Sequence, residues 1–213
     1  MEDIKKYIDS FDEDRINNKH RYASFDFCYE YFYYNRGNLL GGNLQISCSQ
    51  LWSYLGSWGM VARGNELQNR SYASLVDIIS VINNNPEYYS IAIDSKNYVE
   101  KMMNLSTQLE EALHFEKQKS TKTVVTKIML GAFACCPAFD NYFCKTFGTS
   151  TMGSLTKKNL QSIVEFYTYH KKIIDSISIY TLHFSDSDKK DTLPYTSAKI
   201  IDMYGFEKGL SIN

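Results

Sequence analysis

One carboxylate is distinguished in the sequence by its position. Asp140 follows a long apolar segment, residues 124–139, whose only charged residue is Lys127. Pro137 cannot continue the hydrogen bonding of a preceding helix, so we expect the chain to turn there and Asp140 to begin the next helix. Apolar residues on one side and aromatic residues on the other could shift its pKa towards acid–base chemistry. Asp140 is therefore the candidate catalytic residue, and Lys127 could line a cleft beside it.

The same two residues also have an ordinary structural explanation. An aspartate at the beginning of a helix commonly accepts hydrogen bonds from the first backbone N–H groups, and on physical grounds this capping role is the more frequent one for Asp140. A lysine in an apolar helix commonly extends its ammonium group to solvent, which is the more frequent arrangement for Lys127. Both explanations stay open at the level of the sequence.

A second group of candidate binding residues lies at the end of an earlier predicted helix. Trp58 and Arg63 are close to glycines at positions 56 and 59, which would allow another group to approach the backbone closely. The guanidinium group of Arg63 could bind a phosphate or a carboxylate, and it could equally interact with the helix dipole. A second helix packed against the glycines is the commoner reason for such a pattern.

Helical periodicity dominates the chain that must position these residues. Apolar residues recur at spacings of three and four, and no stretch alternates convincingly with a period of two. We therefore predict an all-α protein with a single globular multi-helix domain over residues 1–213, in which residues 1–20 could form a loosely packed N-terminal arm. The predicted helices cover residues 2–9, 21–36, 44–63, 71–83, 96–116, 121–134, 139–147, 160–181 and 197–209.

The composition limits the class of protein. The 23 Lys and Arg residues balance 24 Asp and Glu residues, which gives a net charge of −1, so a nucleic-acid binder would have to use a local basic patch. The five cysteines show no metal-ligand spacing and the four histidines are scattered, so neither a metal nor a cofactor is predicted. The charged N-terminus and the lack of an apolar run of about 18 residues predict a reduced, cytoplasmic protein that does not enter a membrane.

Four blocks of the sequence resemble a family of uncharacterised bacterial proteins. That family has an aromatic helix after an Arg-Tyr pair, a Ser-Trp-Gly-Met helix that ends in Arg-Gly, a block that leads from a lysine to a Pro-Ala-Phe-Asp turn, and a last helix with an Ile-Asp-Met-Tyr core. The matching blocks are RYASFDFCYEYF at 21–32, LGSWGMVARG at 55–64, TKIMLGAFACCPAFDNYF at 126–143 and KIIDMYGFEKG at 199–209. This resemblance covers most of the chain and implies no particular activity.

More remotely, residues 127–140 resemble part of the helix-hairpin-helix DNA glycosylase superfamily. In those enzymes a buried helix leads through a proline-containing turn to an aspartate that assists the loss of a base from a flipped nucleotide. Pro137 and Asp140 match the turn and its carboxylate. The sequence has neither the Leu-Pro-Gly-Val-Gly hairpin before the helix nor the iron–sulfur cysteine set after it. Lys127 lies too close to Asp140 to match the Schiff-base lysine of bifunctional members.

Three functions are open at this stage. The first is a glycosylase-like protein that acts on or binds DNA or another nucleic acid, with Asp140 on the floor of a cleft. Its binding residues would be Tyr22, Trp58 and Tyr142, which stack a base, and Arg63 and Lys127, which bind phosphate. The second is a non-catalytic helical binding module for a small ligand or a protein partner. The third is a homo-oligomeric structural or assembly protein whose interface is the aromatic helix 21–36.

Overall fold

The chain folds into α-helices joined by 3₁₀ turns and loops, as a computed structural model shows for residues 4–17, 19–62, 66–115, 121–149, 155–185 and 191–212. Over these ranges there is no strand, and Tyr180 and Pro194 form an isolated bridge. The all-α prediction is confirmed. The helices are α1 (Ile4–Arg15), α2 (Ser24–Tyr34), α3 (Leu44–Ser57), α4 (Val76–Asn84), α5 (Tyr98–Leu113), α6 (Thr121–Phe133), α7 (Asn141–Thr146), α8 (Lys157–Ile174) and α9 (Ser197–Ser211).

Helix α6 is buried on all sides. Every residue from Val124 to Phe133 is buried, as expected for a helical segment with a single charge and no polar face. Helices α2, α3 and α5 pack around it. Gly131 permits the close approach of α3, because a Cβ atom at this position would lie 2.3 Å from Cε1 of Tyr54. The segment that carries the candidate lysine is therefore the centre of one half of the fold.

Helix α9 is the second buried helix. Helices α1, α7 and α8 pack around it, and its buried residues include a charged pair, Lys199 and Asp202. Gly209 lets α7 approach closely, because a Cβ atom there would lie 1.9 Å from the carbonyl oxygen of Tyr142. The packing of α7 against α9 brings the residues after the Pro137 turn next to the C-terminal helix.

The N-terminal helix is longer and more firmly packed than the sequence indicated. It extends to Arg15 rather than to residue 9, and Ile4, Ile8 and Phe11 are buried on the side that faces α9. The prediction of a loosely packed arm is wrong for Ile4–Arg15. The physical reason is that Ile4, Ile8 and Phe11 recur at helical spacing and form a narrow apolar face. The rest of the segment is strongly charged, which hides this face in the sequence.

The aromatic helix lies inside the protein rather than on its surface. The predicted helix over residues 21–36 begins as a 3₁₀ turn, Arg21–Ala23, and continues as α2. Phe25, Tyr29 and Phe32 are buried, since α2 packs between α3 and α6. Most of its aromatic area is thus already used within the chain. The homo-oligomer stays a prediction, but α2 is a poor candidate for its interface.

Helices α8 and α3 differ from the prediction in their extent. Helix α8 begins at Lys157 rather than 160 and ends at Ile174 rather than 181. The chain leaves the helix because its backbone pairs with the segment before α9: Thr181 N–H donates to the Leu193 carbonyl and Tyr195 N–H to the Ile179 carbonyl, each at 2.9 Å. Helix α3 ends at Ser57, well before residue 63.

Candidate functional site

The turn between α6 and α7, residues 134–140, is fixed by hydrogen bonds from other parts of the chain. Helix α6 ends where Ala134 adopts a left-handed conformation, with φ of 52°, and Pro137 follows within the turn. The hydrogen bonds run from Tyr98 Oη to the Cys135 carbonyl (2.9 Å), from Thr196 Oγ1 to the Ala134 carbonyl (2.5 Å), from Ala138 N–H to Asp202 Oδ1 (3.0 Å) and from Phe139 N–H to Thr126 Oγ1 (3.0 Å). Several helices therefore set the position of Asp140.

Asp140 is the N-cap of α7. Its Oδ1 atom accepts a hydrogen bond from the backbone N–H of Phe143 at 3.0 Å, and its backbone is extended, as is typical of a cap. Its Oδ2 atom lies 2.7 Å from Nζ of Lys127. The two possibilities that the sequence left open for this residue thus occur together, because Asp140 both caps a helix and lies beside Lys127.

Lys127 directs its ammonium group into the protein. Its side chain is only 3% exposed, and Nζ lies 4.1 Å from the centroid of the Trp58 ring, so a cation–π contact accompanies the ion pair. The arrangement that the sequence favoured, with the ammonium group in solvent, is wrong. The reason is that other helices enclose α6 and that Asp140 provides a partner for the charge inside the protein.

A pocket of about 300 Å³ borders this ion pair, and we call it the Trp58 pocket. Its apolar and aromatic lining comes from Trp58, Met60, Tyr142 and Phe206, and its polar lining from Arg21, Thr123, Lys127, Asp140 and Asn141. The ring of Phe206 meets the rings of Trp58 and Tyr142 edge to face, at centroid distances of 5.5 Å and 5.2 Å. The pocket thus combines aromatic walls with one paired carboxylate and two cationic side chains.

The end of α3 determines where Trp58 lies. Trp58 is the first residue after the helix, and Gly59 adopts a left-handed conformation, with φ of 76°, that turns the chain. The indole ring stacks on Tyr22 with an interplanar angle of 2° and a centroid distance of 5.6 Å. The indole N–H is buried and has no hydrogen-bond partner among the described residues. Trp58 is therefore held by ring contacts.

Tyr22 lies behind the pocket wall. Its side chain is buried, and its ring is stacked on Phe11, at 4.2 Å and 10°, as well as on Trp58. The prediction that Tyr22 stacks a base does not fit this position, because other aromatic rings already pack against it. The structure assigns it instead the role of supporting Trp58. Arg63, the other predicted phosphate-binding residue, lies outside the described residues.

Four of the six predicted site residues thus come together in one pocket: Asp140, Lys127, Trp58 and Tyr142. Sequence reasoning missed Phe206 in α9, because nothing in a single sequence shows that this residue faces Trp58. Arg21 was not among the predicted site residues, although it borders the pocket. Its guanidinium group lies 5.4 Å from the Trp58 ring and 5.5 Å from the Tyr22 ring, so the Arg-Tyr pair was the available signal.

A network of buried charges lies next to the turn. Lys199 Nζ lies 3.0 Å from Asp202 Oδ2, and the other oxygen of Asp202 accepts the hydrogen bond from the turn that was described above. Burial lowers the pKa of Lys199, and the carboxylate of Asp202 acts against that shift. The network links α9 to the turn that carries Asp140, and it was not predicted.

A third buried ion pair joins α1 to α2. Arg15 Nη1 lies 2.7 Å from Asp26 Oδ2, and the hydroxyl of Tyr195 donates a hydrogen bond to the same carboxylate. Burial raises the pKa of Asp26, and the Arg15 guanidinium acts in the opposite direction. These charges satisfy one another inside the protein, so they explain the packing of α1 and do not form a further candidate site.

The donor atoms of the site do not suggest a metal. Within the part of the chain that the structure describes, no group of three or more His, Cys, Asp or Glu residues is placed to hold a metal ion. Likewise, none of the described helices has the length and apolar character needed to span a bilayer. What the pocket offers is hydrogen bonding by an ammonium–carboxylate pair between aromatic walls, with a guanidinium group at its edge.

Comparisons of the chain with protein-family models, with curated proteins and with solved structures found no match.

Proposed function

We propose that this protein is a helical binding module that takes a flat heteroaromatic ring, such as a nucleobase, into the Trp58 pocket. The volume of about 300 Å³ lies at the small end of the range for ligand pockets, about 300–1,000 Å³. A base-sized ring suits such a pocket better than a large cofactor does. The edge of Phe206 and the ring of Tyr142 provide apolar contacts for its faces.

The observation that carries this proposal is the ion pair in the pocket lining. Lys127 provides N–H donors and Asp140 provides carboxylate acceptors, and their atoms are only 2.7 Å apart. The edges of nucleobases carry donors and acceptors next to one another, so a base can hydrogen-bond to both members of such a pair. Because the surrounding walls are aromatic, these hydrogen bonds would form in a site of low polarity, where they are stronger.

Arg21 adds a reason to expect a charged group on the ligand. Its side chain is exposed at the edge of the pocket, and a guanidinium group binds phosphate through two parallel hydrogen bonds. A nucleotide, either free or within a nucleic acid strand, carries both a base and a phosphate. The proposal therefore predicts that a nucleoside monophosphate binds more tightly than the corresponding base.

Binding is better supported than catalysis, because the charge of Asp140 is already paired with Lys127 and its carboxylate caps α7. Each oxygen keeps a further lone pair that can accept a hydrogen bond from a base. Removal of a base from a nucleotide is the second candidate function, and one observation favours it. The Asp140 side chain keeps 14% of its surface exposed at the pocket. A carboxylate so placed could stabilise the positive charge that develops on a sugar ring as the base leaves.

Binding can be measured by the fluorescence of Trp58. The sequence contains two tryptophans, so Trp52→Phe leaves Trp58 as the reporter. We expect adenine, guanine, cytosine or uracil to quench its emission in a saturable way, and the matching monophosphate to bind more tightly. Arg21→Met is expected to abolish the difference between the monophosphate and the base. No saturable quenching by any of these compounds up to about 10 mM, a binding free energy weaker than about 3 kcal/mol, would refute the proposal.

A matched pair of variants places the binding in the pocket. Tyr142→Ala removes a wall of the Trp58 pocket, whereas Tyr169→Ala removes a tyrosine on α8 that is 86% exposed. The first is expected to weaken binding and the second to leave it unchanged. Catalysis is tested separately by release of a base from single- and double-stranded DNA. If Asp140→Asn is as active as the parent protein, Asp140 has no part in the reaction.

A further inference from the structure

A second and larger pocket opens between α2 and α3, and no function considered above uses it. Its volume is about 490 Å³, and its lining comes from both helices, from the residues before α2 and from Phe184. We call it the α2/α3 pocket. Arg21 borders both pockets, but the Lys127–Asp140 pair belongs only to the smaller one.

Hydroxyl and amide groups form much of the lining. Ser24, Gln50, Ser53 and Ser57 all border the α2/α3 pocket. Ser53 and Ser57 donate to carbonyls of their own helix, at 2.9 Å and 3.0 Å, and their oxygens can still accept hydrogen bonds from a ligand. A lining of this kind suits a ligand with several hydroxyl groups.

Two buried hydroxyl groups of lining residues have no partner. Ser24 Oγ and Tyr54 Oη lack a hydrogen bond within the described residues, and Tyr54 is only 1% exposed. Buried polar atoms of native proteins are nearly always hydrogen-bonded, to protein, water or a ligand. Neither oxygen is accessible from the pocket, so the two groups add polar character to its wall without marking where a ligand binds.

Exposed cationic side chains border the pocket, and the carboxylate in its lining, that of Glu30, is buried and accepts a hydrogen bond from Thr181. Lys19, His20 and Arg21 are consecutive in the chain, and all three border the pocket. Among the ion pairs of the described residues, none includes Lys19 or Arg21. Both side chains are exposed, so they can bind an anion without breaking an internal pair. His20 Nδ1 accepts a hydrogen bond from the Tyr22 N–H, so this imidazole has only its Nε2 side for a ligand. The two cationic side chains of Lys19 and Arg21 suit a doubly charged phosphate better than a single carboxylate.

Two aromatic rings complete the pocket. Phe27 and Phe184 both line it, and their rings meet edge to face at a centroid distance of 5.2 Å. Phe184 is 71% exposed, so its ring is accessible to a ligand. Such rings provide an apolar surface for the C–H groups of a sugar or polyol.

We propose that the α2/α3 pocket binds a small phosphorylated polyol or sugar. The phosphate group lies against Lys19, His20 and Arg21. The hydroxyl groups lie against the serines and Gln50, and the carbon skeleton contacts the phenylalanine rings. This site shares Arg21 with the one proposed for a heteroaromatic ring. Its other residues are different, so a phosphorylated polyol in the α2/α3 pocket and an unphosphorylated base in the Trp58 pocket do not depend on each other.

Calorimetric titration of the whole chain tests the proposal. The probes are ribose 5-phosphate, glucose 6-phosphate and glycerol 3-phosphate, with ribose, glucose, glycerol and inorganic phosphate as references. At least one phosphorylated probe is expected to bind more tightly than both its unphosphorylated form and inorganic phosphate. If none does, the proposal is refuted.

Matched variants locate the site. Ser53→Leu places a larger apolar side chain in the lining of the α2/α3 pocket and is expected to weaken binding strongly, whereas Ser49→Leu makes the same change one turn earlier on α3, at an exposed residue outside the pocket lining, and is expected to have no effect. Lys19→Met is expected to weaken binding about tenfold, as for the loss of one charge-assisted hydrogen bond. Equal affinity in Ser53→Leu and Ser49→Leu overturns the proposal.

The two proposed sites can fail separately. Tyr142→Ala, which alters only the Trp58 pocket, is expected to leave the binding of the phosphorylated probe unchanged. Ser53→Leu is expected to leave the quenching of Trp58 by a free nucleobase unchanged. Loss of the phosphorylated probe in Tyr142→Ala would overturn the assignment to the α2/α3 pocket. Circular dichroism of each variant confirms that it is folded before it is compared.

Discussion

Separate and combined removal of the charges of Lys127 and Asp140 tests the role of their ion pair. The side chains are 3% and 14% exposed, and their atoms are 2.7 Å apart. Loss of one member of a buried pair costs about 3–5 kcal/mol, because the other charge is left without a partner. We expect losses near or below the lower end of this range, since Asp140 keeps some contact with water. The free energy of unfolding, measured by urea denaturation, is the relevant quantity.

The two single variants should lose different amounts of stability, because the Lys127 side chain is more enclosed than that of Asp140. Asp140→Asn keeps an oxygen that can cap α7 but leaves the enclosed ammonium group of Lys127 alone, so we expect a loss of about 3–4 kcal/mol. Lys127→Met leaves a carboxylate that still reaches water and still accepts from the N–H of Phe143, so we expect about 2 kcal/mol. Asp140→Ala should cost about 1 kcal/mol more than Asp140→Asn, the usual contribution of an N-cap.

The double variant decides the interpretation. Lys127→Met combined with Asp140→Asn leaves neither charge, so its loss should be smaller than the sum of the single losses by about 2 kcal/mol. A difference below about 0.5 kcal/mol would contradict the inference that the pair is structurally coupled. Stabilisation of the protein by Asp140→Asn would contradict the inference more strongly. It would indicate a carboxylate that is kept at a cost to stability, as is typical of a group retained for function.

Three further predictions concern the packing around the site. Gly209→Ala should lower the free energy of unfolding by about 3 kcal/mol or more, because its Cβ would lie 1.9 Å from the Tyr142 carbonyl oxygen. Gly42→Ala, with nothing within 4 Å, is the control and should be nearly neutral in the same denaturation experiment. Tyr98→Phe should cost about 1–3 kcal/mol, since the Cys135 carbonyl loses the hydrogen bond that now fixes the turn; an unchanged denaturation midpoint would contradict this. All five cysteines are free and buried, and burial raises the pKa of the Cys135 thiol well above its usual value. Ellman's reagent at pH 8 should therefore find no rapidly reacting thiol in the native protein and all five in denaturant, and rapid native labelling would contradict the buried placement.

The predictable part of the fold was the part encoded locally. Helical periodicity identified the all-α class, and Pro137 with Asp140 identified the beginning of α7. The loose N-terminal arm was a wrong prediction because the partners of α1 lie in α9, at the other end of the chain. The extent of α8 was wrong because backbone pairing with a distant segment, rather than a local signal, ends it. A single sequence does not reveal such contacts between distant segments.

The candidate site shows the same division between local and distant information. Lys127 and Asp140 lie on either side of one turn, so their pairing could be considered from the sequence. Phe206 and Asp202 come from α9, where Phe206 lines the pocket and Asp202 accepts a hydrogen bond from the turn itself. Neither could be assigned before α9 was seen to pack beside α7. The buried charge of Asp202 had no pattern to indicate it, because Lys and Asp in a helix usually face solvent.

A role of Asp140 as a helix cap does not exclude a role in binding in this structure. One oxygen is held by the N–H of Phe143 and the other by Lys127, so the carboxylate cannot rotate without losing one of them. A ligand that meets this pair finds donor and acceptor already fixed, and it does not have to order them at the moment of binding. The cap is therefore the means by which the carboxylate is preorganised. A ligand that binds the pair should accordingly bind less tightly to Asp140→Ala than to Asp140→Asn, because only the asparagine keeps the cap.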